Sequence, residues 1–334
     1  MNDNLNVLCQ SSDFYCPFCG VMLESLFYNN ADIETIKVYL ISDDIKEENQ
    51  KKLYELSKKY NREIKIIDGI SIAKKLEGYG CPKYRNSYAA YYKIFASDII
   101  SDDIERLLYL DSDIIINGSL KELISLNLHD NILGLAIDFA SENHKKNIGY
   151  PKKDYYNTGV ILFDFNKWEI GKCIDRIINH INTIHACYPL VDQDIINLVL
   201  QGKIETLDMK YNFCTDTLVY KNYRLFKKAN GIECYYSQDE FMQAQKNPIV
   251  CHMFGNITTR PWVKNSNHPL TELWDRYLTQ SPWHDFVKIE DKPGTLIKIQ
   301  RGLFKLLPMD LFATINQCCI KYLQNIRAKE SKLR

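Results

Sequence analysis

In the run Arg106-Leu107-Leu108-Tyr109-Leu110-Asp111-Ser112-Asp113-Ile114-Ile115-Ile116, two carboxylates spaced i, i+2 interrupt an otherwise apolar stretch. Acids at the end of a buried strand are unfavourable unless a positive charge neutralises them. A hard divalent cation meets that need, because Mg²⁺ or Mn²⁺ takes oxygen ligands and leaves positions open for substrate phosphates. Asp-Ser-Asp is equally good turn chemistry, so the pair alone leaves both readings standing.

Four other segments place polar residues where an apolar run stops or begins. Ile132 to Ile137 ends on Asp138. Tyr155-Tyr156-Asn157-Thr158-Gly159 precedes a second run, and Ile249-Val250-Cys251 ends on His252, followed by Met253-Phe254-Gly255. Val191-Asp192-Gln193-Asp194 opens a helix expected at Ile195 to Leu200. Each has a plain reading by itself: a strand-end Asp, an Asx turn, a core His, a helix N-cap. Together with Asp111 and Asp113 they describe one polar site built at strand ends.

The elements that must position these residues alternate. Strands are expected at Asn6–Cys9, Ile36–Ile41, Glu63–Ile67, Ile132–Ile137 and Thr158–Phe165, besides the strand that carries Asp-Ser-Asp. Helices are expected at Phe18–Tyr28, Lys46–Tyr60 and about Ser87–Ile100. Short apolar runs alternating with helical patterns mean βαβ units and a mostly parallel sheet, whose ligand sites lie beyond the carboxyl ends of the strands. Beyond Trp168 the pattern turns helical, then irregular from Phe213 to Asn247, and Pro293-Gly294 is the best boundary.

Composition fits this picture. The chain has 334 residues, 46% hydrophobic and 25% charged, enough for a large core. Zero net charge gives no support to nucleic-acid binding. The zero conceals an asymmetry: from Lys288 onward ten basic residues face four acids. The same tail carries Leu296, Ile297, Ile299, Leu303, Phe304, Leu306, Leu307, Leu311, Phe312 and Ile315. Basic plus apolar reads as a segment for an anionic membrane surface, against the alternative of a helix pair docked on the body. No apolar run of about eighteen residues and no signal-peptide pattern is present. The eleven cysteines form no disulfide framework and are expected as reduced, mostly buried thiols.

On Tyr91-Tyr92-Lys93-Ile94, Leu108-Tyr109-Leu110-Asp111-Ser112-Asp113, Ile137-Asp138, Tyr156-Asn157-Thr158-Gly159-Val160, Asp192-Gln193-Asp194, His252-Met253-Phe254-Gly255 with Arg260-Pro261-Trp262, and Ser281-Pro282-Trp283, the chain resembles glycosyltransferase family 8 over roughly residues 5 to 285. The resemblance implies an α/β, GT-A fold: a Rossmann-like, mostly parallel sheet flanked by helices, with a helical C-terminal appendage. It implies a nucleotide-sugar half over about 1–140, an acceptor half over about 141–290, and the basic tail at 291–334. The implied function is retaining transfer of glucose or galactose from a UDP-sugar to a glycan or lipid-linked glycan acceptor. Surface polysaccharide or lipopolysaccharide synthesis at the inner face of a bacterial membrane is its implied setting. By the same resemblance Asp111, Asp113 and His252 hold Mn²⁺ (or Mg²⁺), while Ser12, Asp13, Tyr15, Lys93, Ser112, Gly255 and Arg260 contact the nucleotide or its phosphates. Asp138 and Asn157 contact the donor sugar, and Asp192 and Gln193 sit below its anomeric carbon. Two departures stand out. The first strand of the family usually ends Asp-Asp-Asn-Tyr or Thr-Asn-Asp-x-Tyr, whereas here Ser12 and Phe14 replace an Asp and the Asn; Lys93 replaces a usual Arg and loses its bidentate fork.

Other chemistries fit the sequence less well. Cys16-Pro17-Phe18-Cys19 between a strand and a helix resembles a glutaredoxin-type site, where the helix N-terminus would favour a Cys16 thiolate. The chain is far too long for that fold alone and has no Val-Pro segment suited to the accompanying cis-proline. Zinc lacks a second Cys pair at finger spacing, Cys318-Cys319 are adjacent, and His180 and His185 do not share a helix face. A non-catalytic sugar-binding protein on the same fold is the remaining alternative.

Overall fold

The computed structural model describes residues 4–84, 86–100, 104–184, 187–220, 222–255 and 257–332; His185 lies outside the described residues. Among the described residues ten strands form two sheets. In chain order they are β1 (Asn4–Ser12), β2 (Thr35–Asp43), β3 (Glu63–Asp68), β4 (Arg106–Leu110), β5 (Ile114–Ile116), β6 (Leu133–Ile137), β7 (Tyr156–Asp164), β8 (Ile204–Thr206), β9 (Phe213–Cys214) and β10 (Val250–His252). The main sheet has the order β3-β2-β1-β4-β7-β6-β8, and β5-β10-β9 form the small one. β1 runs parallel to β2 and β4, β2 to β3, and β6 to β8. β7 alone opposes both its neighbours.

Period-two alternation explains why this sheet is covered on both faces. Leu5, Val7 and Cys9 of β1, Val38 and Leu40 of β2, Leu108 and Leu110 of β4, and Val160 and Leu162 of β7 enter one buried cluster. Their alternates, Leu8, Tyr39, Ile41, Leu107, Tyr109, Ile161 and Phe163, enter the other. The helix Cys16–Asn29 is buried almost all round on the first face, so closely that a Cβ on Gly20 would sit 2.2 Å from the Trp283 ring. The helix Glu47–Tyr60 is amphipathic, inserts Leu53 and Leu56, and stops at Asn61 in the left-handed region.

The expected elements recur with shifted ends. The stretch expected as one helix from Ser87 is a 3-10 turn over Ala89–Phe95 followed by a short α-helix Ala96–Ile99. Phe165 belongs to the next helix, where Asp164 caps Phe165–Ile170 by accepting from Lys167 N. The helix expected at Ile195 begins at Val191, which brings Asp192 and Gln193 into its first turn.

Two helices, Thr295–Leu306 and Met309–Lys332, make up the C-terminal region, broken where Pro308 follows the first. Phe312, Ala313 and Asn316 are buried against the body, and Phe304 meets Phe312 edge to face at 5.1 Å.

Candidate functional site

Strand register gathers the polar residues. Asp111 follows β4, and its N–H donates to Gly159 O of β7 at 2.8 Å. β10 pairs antiparallel with β5 so that His252 faces Ile114, the residue after Asp113; Met253 N then donates to Asp113 O at 2.8 Å. β9 runs beside β10 and delivers Asn212, just before it, to the His252 ring, Nδ1 to Oδ1 3.0 Å. The approach is close: a Cβ on Gly159 would lie 2.2 Å from His252 Cε1, so only glycine fits there.

Asp111, Asp113 and His252 thus form the one cluster of three candidate metal ligands among the described residues, with ligand atoms within 4.8 Å of one another. His252 Nε2 lies 3.1 Å from Asp113 Oδ1 and 3.8 Å from Asp111 Oδ2. Asn212 spends its amide N–H₂ on Asn157 Oδ1 at 2.7 Å, so its own oxygen is left to accept from His252 Nδ1–H. That assignment turns Nε2 of His252 toward the two carboxylates. Two carboxylates and an outward imidazole nitrogen, oriented from behind by an amide, suit Mn²⁺ or Mg²⁺.

Cations of the chain interlock with this cluster. Arg260 pairs with Asp113 and stacks over Trp262 at 5.3 Å from the ring centre. A Cβ on Gly255 would press on the Arg260 side chain at 2.6 Å. Burial acts to raise the Asp113 carboxyl, but His252 and Arg260 outweigh it and hold the group well below the usual carboxylate range. Lys93 is buried and its Nζ lies 3.0 Å from Asp192 Oδ2, 3.1 Å from Thr158 O and 3.3 Å from Asp111 Oδ1. Burial pulls its ammonium down, yet Asp111 and Asp192 together leave it raised. Tyr109 adds a hydroxyl to Asp111 Oδ1 at 2.6 Å.

Behind the charges lies a floor of amides. Asp138 Oδ2 accepts from Asn157 Nδ2 at 2.8 Å and from Gln193 Nε2 at 2.9 Å. Burial pushes the Asp138 carboxyl up, with those two amides opposing. Asp192 is likewise raised by burial, with Lys93 pulling it back. A register shift between Gly134 and Ala136 leaves Thr158 to Ile161 without register partners on β6. Side chains replace the missing strand: Gln193 Oε1 accepts from Thr158 N at 3.3 Å and Asn157 Oδ1 from Gly159 N at 2.9 Å.

Two cavities flank the cluster. One, about 310 Å³, is lined by Ser12, Tyr15, Asp111, Ser112 and Asp113, together with Gln10, Ser11, Asp43, Ala89 and Tyr92. Ser112 is fixed there by donating to Gln10 O at 2.5 Å. Asp13 is absent from this lining; its Oδ1 accepts from Lys46 N and Asn49 Nδ2, both at 2.8 Å, and so anchors the start of the helix Glu47–Tyr60. The other cavity, about 350 Å³, has Asp138, Asn157 and Gln193 on its floor.

Sequence reasoning missed several participants. Asn212 stands just before the stretch read as irregular, and its only signal is an amide between aromatic neighbours. Asp43 pairs with Ser12 in the β1–β2 register, and an acid ending the second strand could have been noticed. His144 and Tyr155 both bond Asp194 Oδ1, at 2.8 and 2.5 Å, fixing the turn that carries Gln193. The thiol-redox alternative fails on its own terms: Cys16 and Cys19 are buried, and burial pushes the Cys16 thiol far up, opposite to a reactive thiolate. His180 stacks on Tyr188 and serves packing.

A model of glycosyl transferase family 8 matches residues 6–266. A Haemophilus influenzae protein described as a putative glycosyltransferase is 26% identical over 309 residues, 90% of this chain and 87% of that protein. The lipopolysaccharide 1,2-glucosyltransferase of Escherichia coli K12 is 25% identical over 288 residues, covering 84% and 79% of the two chains. Among solved structures, galactosyltransferase LgtC in complex with donor and acceptor sugar analogues superposes with a TM-score of 0.65 at 22% identity, over 83% of this chain and 96% of that one.

Proposed function

Since this chain belongs to glycosyl transferase family 8, we propose that it moves a hexose, glucose or galactose, from a UDP-sugar to a glycan acceptor with retention of configuration. Assembly of a bacterial lipopolysaccharide or related surface polysaccharide is the setting we infer. The observation that carries this reading is the continuity of the Asp111–Asp113–His252 cluster with a cleft on one side and the Asp138–Asn157–Gln193 floor on the other.

In this reading the nucleotide lies along Ser12, Tyr15 and Ser112, with the diphosphate at Asp111, Asp113 and His252. Mn²⁺ or Mg²⁺ bound by those three would neutralise the departing diphosphate. Arg260 and Lys93 supply fixed positive charge to the same region. Arg260 would exchange Asp113 for a phosphate oxygen, because both are bidentate acceptors of guanidinium. Asp138 and Asn157 take hydroxyls of the hexose. Gln193 already spends its oxygen on Thr158 N and its nitrogen on Asp138, so it positions rather than attacks. Same-face attack by the acceptor hydroxyl, its proton passing to the leaving phosphate, is therefore the route we favour.

UDP release from a panel of nucleotide-sugars, with and without Mn²⁺ and with no acceptor, tests the assignment. Slow Mn²⁺-dependent hydrolysis of one UDP-hexose is expected. Silence across the panel, together with no UDP binding by calorimetry, would overturn it in favour of a non-catalytic sugar-binding protein.

We infer further that the enzyme works at the inner membrane face. No helix among the described residues is long and apolar enough to cross a membrane. Six of the sixteen large apolar side chains exposed on the described surface, Leu296, Ile299, Leu306, Leu311, Tyr322 and Ile326, lie on the C-terminal helices, interleaved with Lys298, Lys305 and Lys321. That is the composition of a surface that seats on anionic lipid. Combining L296D, K305E and L306D should release the protein from phosphatidylglycerol vesicles in sedimentation; retained binding would remove this part of the reading.

A further inference from the structure

The C-terminal helices have an inner face as well as an outer one. Asn316, Ile320, Leu323 and Arg327 recur at helical spacing along Met309–Lys332, and with Ile297 and Gln300 of the preceding helix they line the cavity whose floor is Asp138, Asn157 and Gln193. The wall is held by specific bonds. Asn316 Nδ2 donates to Ala229 O at 3.0 Å, Gln300 Nε2 to Asn316 Oδ1 at 2.7 Å, and Ser141 Oγ to Gln324 Oε1 at 2.6 Å. Asn143 Nδ2 ties the next residue, Asn325, at 2.9 Å. Among the described residues the other half of the Gln300 and Gln324 amides has no partner, and Arg327 has no carboxylate within ion-pair reach. These polar groups face a cavity of about 350 Å³ that also presents Phe254, a mixture of apolar surface and hydrogen-bonding groups suited to a sugar.

We propose that the two C-terminal helices form the acceptor-side wall of the active site. The terminal sugar of the acceptor glycan lies between the donor hexose, which rests on the Asp138–Asn157 floor, and this wall, its C–H face on Leu323 and Phe254 and its outer hydroxyls on Gln300, Gln324 and Arg327. This rests on the transferase reading above. It places acceptor selection on residues beyond 266, outside the segment shared with the family model. It also gives the helix pair a role that does not depend on any membrane.

The test uses the full-length protein in detergent-free solution, with p-nitrophenyl β-glucoside, β-galactoside and β-lactoside as acceptors and the hydrolysed UDP-hexose as donor. R327A and L323W, the latter filling the cavity, should each raise the acceptor KM at least about tenfold with a much smaller change in donor KM. E330A, at an exposed position of the same helix, should behave as the unaltered protein, and melting temperatures verify that each variant is folded. Unchanged acceptor KM in both wall variants would overturn the proposal. If none of the three glycosides is used, hydrolysis itself becomes the readout. L323A opens the wall to water and should speed UDP release at least about threefold, and an unchanged rate overturns the proposal. Absence of any donor hydrolysis in the unaltered protein would instead remove the transferase reading on which this one stands.

Discussion

The two ends of the cleft are built differently. At the Asp111–Asp113 end almost every polar side chain has two or more partners: Lys93 touches Asp111, Asp192 and Thr158, and His252 touches Asp113 and Asn212. At the β1 end Phe14 is 60% and Tyr15 47% exposed, and Tyr15 and Phe14 meet mainly each other and Phe18. The contrast teaches where this fold invests rigidity. Groups that must face developing charge are immobilised beforehand, since preorganised electrostatics need no rearrangement during reaction. Groups that grip a planar base can remain on a loop, because a ring face tolerates small displacements.

The sharpest way to break the comparison is at its rigid end. D113A should lower both transfer and acceptor-free hydrolysis by about 10³-fold or more, with UDP release against Mn²⁺ concentration as the measurement. A residual rate within tenfold of normal would mean the cluster is structural. K93M should come next. It leaves Asp111 and Asp192 facing each other in the interior, and losing one partner of a buried pair is destabilising by about 3–5 kcal/mol. A clear drop in thermal midpoint, together with lost activity, is the expected outcome. At the loose end, Y15A should weaken UDP binding by about tenfold, in line with roughly 1–3 kcal/mol per stacked base, while leaving the melting temperature unchanged; calorimetry and thermal unfolding separate the two. The smallest effect concerns the thiols. Iodoacetamide should modify the exposed Cys318 and Cys319 and spare buried Cys16 and Cys19, changing hydrolysis by less than about twofold.

The rigid end was largely legible in the sequence. Asp111, Asp113, Asp138, Asn157 and His252 all stand where an apolar run stops or starts, and strand ends are where an α/β sheet presents ligands. What the sequence could not supply was pairing. Nothing local says that β7 runs against both neighbours, that Asn212 reaches His252, or that Lys93 sits between two acids more than a dozen residues away. Those contacts depend on which strands become neighbours. The C-terminal helices illustrate the same limit from the other side. Their basic, apolar composition suggested a membrane surface, and their inner stripe of Asn316, Ile320, Leu323 and Arg327 was hidden within it, because one amphipathic pattern does not say which apolar face meets the body.

The slipped register between β6 and β7 has a further consequence. In an unbroken ladder successive amides alternate between the two flanking strands, so the Thr158 and Gly159 N–H groups would go to backbone on either side rather than to the side chains of Gln193 and Asn157. Here those side chains impersonate a missing length of backbone. The pocket floor is therefore a repaired dislocation in the sheet, and a sequence redesigned to heal the dislocation would gain ordinary strand hydrogen bonds and lose the surface on which a sugar could rest.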